Sequence, residues 1–236
     1  MDKNKKQALE NFKEKFEEIC EKWNSFAVSE EELKEYKAIY NKDLDKIIEN
    51  AGKIEISYIA IGDNPGDHEK TSSRYMQNDN STPRLRKFYK ILGNHNLPPK
   101  DYEDDWSDVN VLVLNKVPIS TPTTDKLRSL LEYKDFLKCQ QEMADAIKEL
   151  ATNLDVEIHV FGHSLITDYK DYNTGETKEA IYPKYQDLIK NQNKIRAYYH
   201  PSKKKYFEPY LKMDKKQLLQ EGERGVEYRR NIFLKD

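Results

Sequence analysis

With two cysteines and eight glycines in 236 residues, the chain is poor in both. Cys20 and Cys139 stand far apart, which leaves no thiolate set for an iron–sulfur cluster or a four-cysteine zinc site. Both are expected as free thiols, and no cofactor or metal is expected. Positive charge is not in excess either: 40 Lys and Arg against 42 Asp and Glu give a formal net charge of −2. A globally basic nucleic-acid binder is thereby excluded, and any such partner would need a local basic patch. No apolar run reaches membrane length, and the Lys/Glu-rich start carries no signal-peptide core. A cytoplasmic protein with no membrane partner is the expectation. Internal repeats and low-complexity linkers are also missing.

What the chain does have is four short apolar runs that each stop in polar residues. Tyr58-Ile59-Ala60-Ile61 meets Gly62-Asp63-Asn64-Pro65-Gly66, and Val111-Leu112-Val113-Leu114 meets Asn115. Ile158-His159-Val160-Phe161 meets Gly162-His163-Ser164, and Ile195 to Tyr199 meets His200-Pro201-Ser202. Such runs read as strands, and the stretches between them have helical periodicity. Strand–helix alternation predicts a parallel sheet, whose ligands bind beyond the carboxyl ends of the strands. The four polar endings should therefore meet on one edge.

Leu9, Phe12, Phe16, Ile19, Trp23 and Phe26 lie three or four apart, which predicts a helix over about 5–25 with one apolar face. Ser29 and Glu32 form a capping-box pattern, predicting a second helix with Leu33, Tyr36, Tyr40, Leu44 and Ile47 inward. Residues 1–50 thus read as an N-terminal helical hairpin. Its stripe reads as packed core, with a protein-partner surface as the alternative, because an exposed stripe is costly. Residues 51–236 read as the α/β domain. Its helices are expected from Thr82-Pro83, over about 133–152, near 183–191 and at the C-terminus.

Read alone, each polar ending has an ordinary explanation. Gly, Asn and Pro after the first strand make a tight turn, and a lone His or Asn at a strand end is commonly structural. Each ending also has a chemical reading. Glycines let the backbone approach a ligand, and Asp63 and Asn64 face the crevice. No Gly-Lys-Ser/Thr follows, so the loop is not a phosphate-binding P-loop. An imidazole at His200 could donate to a developing anion. The amide of Asn115 offers a donor and an acceptor side by side, as a nucleobase edge requires.

Gly-Asp-Asn-Pro-Gly, a strand ending in Asn, and a late His-Pro-Ser together resemble the uracil-DNA glycosylase superfamily. The likeness covers about residues 54–207, and the first motif is most similar to the Gly-X-Asn-Pro-Gly of the mismatch-specific and single-strand-selective branches. It implies a three-layer α/β/α fold with a central four-stranded parallel sheet, here with the helical extension in front. It also implies a monofunctional hydrolase of base excision repair that flips a base out of DNA. By the same resemblance Asn64 positions the water, His200 is the catalytic histidine, and Asn115 reads the base. Asp63 joins the catalytic set, since the amide of Asn64 cannot take a proton. Gly62 and His68 border the base pocket, and Tyr75 or Met76 supplies its aromatic or apolar platform. Asp67 is a further candidate for proton transfer. Ser202, Lys203, Lys204 and Tyr206 follow as the DNA-binding set, with Tyr206 or Phe207 as the wedge.

The chain departs from the family in three places. Asn64 stands where the most active branch has Asp, Asp67-His68-Glu69 replace the usual aromatic, and three lysines replace the second proline after His-Pro-Ser. Two other readings compete. One is a glycosylase-fold module that binds nucleic acid, a nucleotide or a protein without cutting. The other is a metal-dependent hydrolase using Asp63, Asp67, His68 and His200, although no compact ligand spacing is present.

Overall fold

A computed structural model describes residues 3–75, 81–170 and 175–233. Helix α1 spans Lys3–Ser29. Its polar side is laced by the i,i+4 pairs Lys6–Glu10, Lys13–Glu17 and Glu18–Lys22. Its apolar face, from Leu9 through Trp23, is buried. At ~2 kcal/mol for each large apolar side chain removed from water, this stripe strongly fixes the helix in place.

The second N-terminal helix does not form where the capping-box pattern placed it. Ser29 ends α1, and its hydroxyl donates back to the Phe26 carbonyl at 2.7 Å. Only a 3-10 turn follows, at Glu31–Leu33, and the next α-helix, α2, is the short Asp43–Glu49. Tertiary contacts hold the stretch between them out of helix. Trp23 Nε1 donates to the Tyr36 carbonyl at 2.5 Å, and the Asn24 amide grips both backbone groups of Ala38. Ala38 also bridges Ile119 in antiparallel fashion. A local capping signal loses to this docking.

The sheet contains β1 (Tyr58–Gly62), β2 (Val111–Asn115), β3 (Glu157–Phe161) and β6 (Ile195–Tyr198), after a small antiparallel pair β4 (Tyr169–Lys170) and β5 (Thr177–Lys178). All four main strands are parallel in the order β2-β1-β3-β6, as the alternation predicted. Between and around them lie α3 (Asp67–Ser72), α4 (Thr82–Gly93), α5 (Lys134–Leu154), α6 (Gln186–Asn191), α7 (Lys204–Phe207) and α8 (Lys215–Phe233). The fold is three-layered α/β/α.

Helices α1 and α5 pack together through Trp23 on Phe136, with Phe26 on Tyr133 just before α5. On the sheet face of Tyr58, His159, Phe161 and Tyr198, α4 contributes Phe88 and Tyr89. Residues of α1 and of the sheet belong to one apolar cluster. Helix α8 lies directly on β6: a Cβ at Gly222 would sit 2.3 Å from the Tyr198 hydroxyl, and one at Gly225 2.1 Å from the Ala197 carbonyl oxygen. Among the described residues no helix is long and apolar enough to cross a membrane.

Candidate functional site at the carboxyl edge of the sheet

Gly62 and Asn115 are register partners, so β1 and β2 end side by side. β3 ends at Phe161, whose register partner is Tyr198, two residues before His200. All four polar endings thus share one edge, as parallel pairing requires. Their side chains nevertheless do different things.

Asn115 is buried, with 3% of its surface exposed. Its side-chain amide makes no hydrogen bond to any described residue, yet it is not among the fully occluded polar atoms left unpaired. It is an open amide at the rim of the strand, able to donate once and accept once. Asn64 is the opposite. Its Nδ2 donates to Thr121 Oγ1 at 2.8 Å and to the Pro65 carbonyl at 3.0 Å, with the Ile119 carbonyl at 3.4 Å. Its Oδ1 accepts from Thr124 Oγ1 at 2.9 Å and lies 3.5 Å from the Tyr182 hydroxyl. The amide expected to position a water is tied to the segment that follows β2.

His200 is half-buried. The backbone N–H of Ser202 points at its Nδ1 at 3.2 Å, and Ser202 Oγ lies 2.8 Å from the same atom. A backbone N–H can only donate, so Nδ1 accepts and the neutral ring carries its proton on Nε2. Burial lowers its pKa, as does Lys116, while Asp63 pulls the other way. The loop is held from α4, where Arg84 donates to the Pro201 carbonyl at 3.0 Å. His200 therefore presents a neutral N–H donor.

The polar core of the edge is an ion pair that sequence reasoning missed. Lys116, next to Asn115, is fully buried, and its Nζ lies 2.6 Å from Asp63 Oδ1. The ammonium also donates to the carbonyls of Phe161 at 2.6 Å and Gly62 at 3.3 Å. Burial lowers its pKa, opposed by Asp63. The ring of Tyr182 lies 5.0 Å from Nζ. A charged residue immediately after Leu114 and Asn115 was the available signal, since lysine in an apolar run needs a partner.

Gly162-His163-Ser164 has a structural purpose. Gly162 sits at φ +75°, and a Cβ there would come within 2.4 Å of Asp63 Oδ1. His163 is buried, and its Nδ1 accepts from Arg229 Nε of α8 at 2.9 Å. Burial, with Arg229 and Lys116, pushes its pKa down to about 3. Arg229 also bonds Thr167 Oγ1.

The remaining candidates divide. Tyr75 is not a base platform. It is fully buried, donates to the Ile39 carbonyl at 2.5 Å and meets Phe16 edge-on at 6.2 Å. Met76, the other candidate, lies outside the described residues, as does the side chain of Asp67. His68 is exposed on α3. Ser202, Lys203, Lys204 and Tyr206 are exposed beside His200, with Lys204 lightly paired to Glu208 at 3.7 Å. Tyr206 stacks on Tyr199 with centroids 5.0 Å apart, so it lies flat rather than standing out as a wedge. Phe207 is buried on Phe88 and Phe161 and is no wedge either. Among the described residues no three His, Cys, Asp or Glu side chains stand close enough to hold a metal.

No protein-family model matches this chain, and no curated protein sequence matches it.

Proposed function

We propose that this chain is a monofunctional DNA glycosylase that hydrolyses the N-glycosidic bond of uracil or a related deaminated or mismatched base. The observation that carries this reading is the open amide of Asn115, set on the same sheet edge as the Nε2–H of His200. Asn115 pairs with the N3–H and O4 edge of a flipped uracil, donating once and accepting once. His200 donates through Nε2 to the O2 that gathers charge as the bond breaks. One such donor is worth about 3–4 kcal/mol in the transition state. A neutral imidazole suits this task, because its proton is shared without being lost to solvent.

Ser202, Lys203 and Lys204 are exposed beside His200, where a DNA backbone would run. Tyr206, already stacked on Tyr199, offers its outer surface to a neighbouring base. Local charge of this kind gives binding that weakens steeply with salt.

The test is alkali-revealed strand cleavage after incubation with single- and double-stranded oligonucleotides bearing uracil, hypoxanthine or a thymine mismatch. Product that vanishes in the Asn115→Ala, His200→Ala double variant supports the reading. Equal product from both proteins sinks it. A second reading is favoured by the saturated amide of Asn64: a glycosylase-fold module that binds a flipped base without cutting. Tight binding of uracil-containing DNA with no strand cleavage at stoichiometric protein selects it.

A further inference from the structure

We infer that Lys116 is a positioning residue that makes Asp63 the water-activating group of the site, with Gly162 clearing the space in which that carboxylate lies. The inference rests on the glycosylase reading and deepens it. Asn64, which occupies the usual water-positioning place, has both its amide hydrogens and its oxygen engaged by Pro65, Thr121, Thr124 and Tyr182. One residue earlier, Asp63 is a carboxylate with two distinguishable oxygens. Oδ1 is fixed by Lys116 at 2.6 Å, whereas Oδ2 makes no hydrogen bond to a described residue.

Three features set this pair apart from a casual buried ion pair. First, the three N–H bonds of Lys116 have three acceptors, and they belong to the ends of β1 and β3. The ammonium cannot swing away without orphaning carbonyls on two strands. Second, the backbone of Lys116 is fixed as well: its N–H points to the carbonyls of Gly62 and Asp63, and its carbonyl accepts from Tyr185 Oη at 2.7 Å. Third, the end of β3 is cut away beneath the carboxylate, since any side chain at residue 162 would collide with it. Three strands thus cooperate to hold one carboxylate in one orientation.

The chemistry balances without any further reactant. As the C1′–N bond breaks, its electron pair leaves with the base, whose O2 is held by His200 Nε2–H. Water oxygen bonds to C1′, and the water proton passes to Asp63 Oδ2. Lys116 takes no proton and touches no substrate. It holds the carboxylate aligned before water arrives.

The titratable groups that face Asp63 are Lys116 from the end of β2, His200 from the loop after β6, and Tyr182 from the segment before α6. Lys116 is the cation of that set that meets the carboxylate directly. Its removal therefore has a defined signature, a loss of rate with DNA binding kept.

The experiment measures single-turnover base release by the full chain on a uracil oligonucleotide from pH 5 to 9. Anisotropy with an abasic-analogue oligonucleotide gives binding, and thermal unfolding gives stability. Lys116→Met is expected to lose about tenfold to a hundredfold in rate at pH 6. Its binding should stay within about threefold of the parent, since Lys116 touches no DNA. Asp63→Asn should lose at least about a hundredfold at every pH. Adding Lys116→Met to Asp63→Asn should cost no further rate and recover melting temperature, which keeps the test valid if Lys116→Met alone folds poorly. An active parent whose Lys116→Met variant keeps its rate overturns the inference alone. So does an Asp63→Asn variant within threefold of the parent. A parent that releases no base from any substrate overturns the glycosylase reading and this role together.

Discussion

Two asparagines end or follow neighbouring strands of one sheet, and their surroundings give them opposite employment. Asn115 closes β2 with an open amide. Asn64 follows β1 with its amide bonded to three residues of the 119–124 segment and its neighbours. The side chain is the same, so the difference comes from what the chain packs beyond each strand. After β2 the Lys116 N–H bonds back to the carbonyls of Gly62 and Asp63, and no described residue bonds the Asn115 amide. After β1 the chain is bonded to the 119–124 segment, where the hydroxyls of Thr121 and Thr124 engage Asn64. A residue at a site edge is available for chemistry only if its own loop leaves it unsatisfied. That criterion separates Asn115, whose amide stays open, from Asn64, whose amide is built into its loop.

The comparison breaks most visibly in rates. Asn115→Ala should lower uracil release by two orders of magnitude or more, with a melting temperature close to the parent's; equal rates would remove Asn115 from the pocket. His200→Ala should cost about a hundredfold to a thousandfold, the worth of one transition-state donor, with binding to abasic DNA preserved in an anisotropy titration. Asn64→Ala should act in the other currency. Stranding Thr121, Thr124 and a buried carbonyl should destabilise the fold by about 1–3 kcal/mol in urea unfolding, an effect larger than any on substrate binding.

Acid should sharpen the contrast between edge and interior. His163 and His159 are both held near a pKa of about 3 by burial, against an ordinary value of 6.5. A histidine whose folded pKa is depressed gives up stability as pH falls below its unfolded value, because the unfolded chain then binds the proton the fold refuses. Between pH 6.5 and about 3 each should remove about 1.4 kcal/mol per pH unit, to be read from urea midpoints at stepped pH. His163→Gln, which keeps an acceptor for Arg229, should flatten that slope. The smallest effect belongs to the lysines: Lys203→Ala should reduce the salt slope of DNA binding by about one and leave the chemistry untouched.

Much of this architecture was legible beforehand. The four apolar runs became the four parallel strands, and α1, α4 and α5 appear where the 3.6-residue period placed them. Periodicity reports burial of a face, and these elements each bury one. The second N-terminal helix failed because Ser29 and Glu32 make only a local signal, while Trp23 and Asn24 hold residues 36–38 from a distance. At the site, the sharing of one edge was legible, but the satisfaction of each side chain was not. Tyr75 carried no mark that its hydroxyl would be spent on Ile39. Thr121 and Thr124 looked like loop residues, and nothing local ties them to Asn64. Lys116 was missed as well, although a cation directly after an apolar strand calls for a carboxylate.

The close seat of α8 on β6 has a consequence for how the molecule behaves in company. β6 is one margin of the sheet, and a margin normally offers unpaired backbone groups to any passing strand. With Gly222 and Gly225 bringing the helix down onto Tyr198 and the Ala197 carbonyl, that margin is roofed over. At the other margin the Asn41 amide covers the Val113 carbonyl at 2.9 Å. Two glycines and one asparagine thus guard a small parallel sheet against adding strands from its own copies.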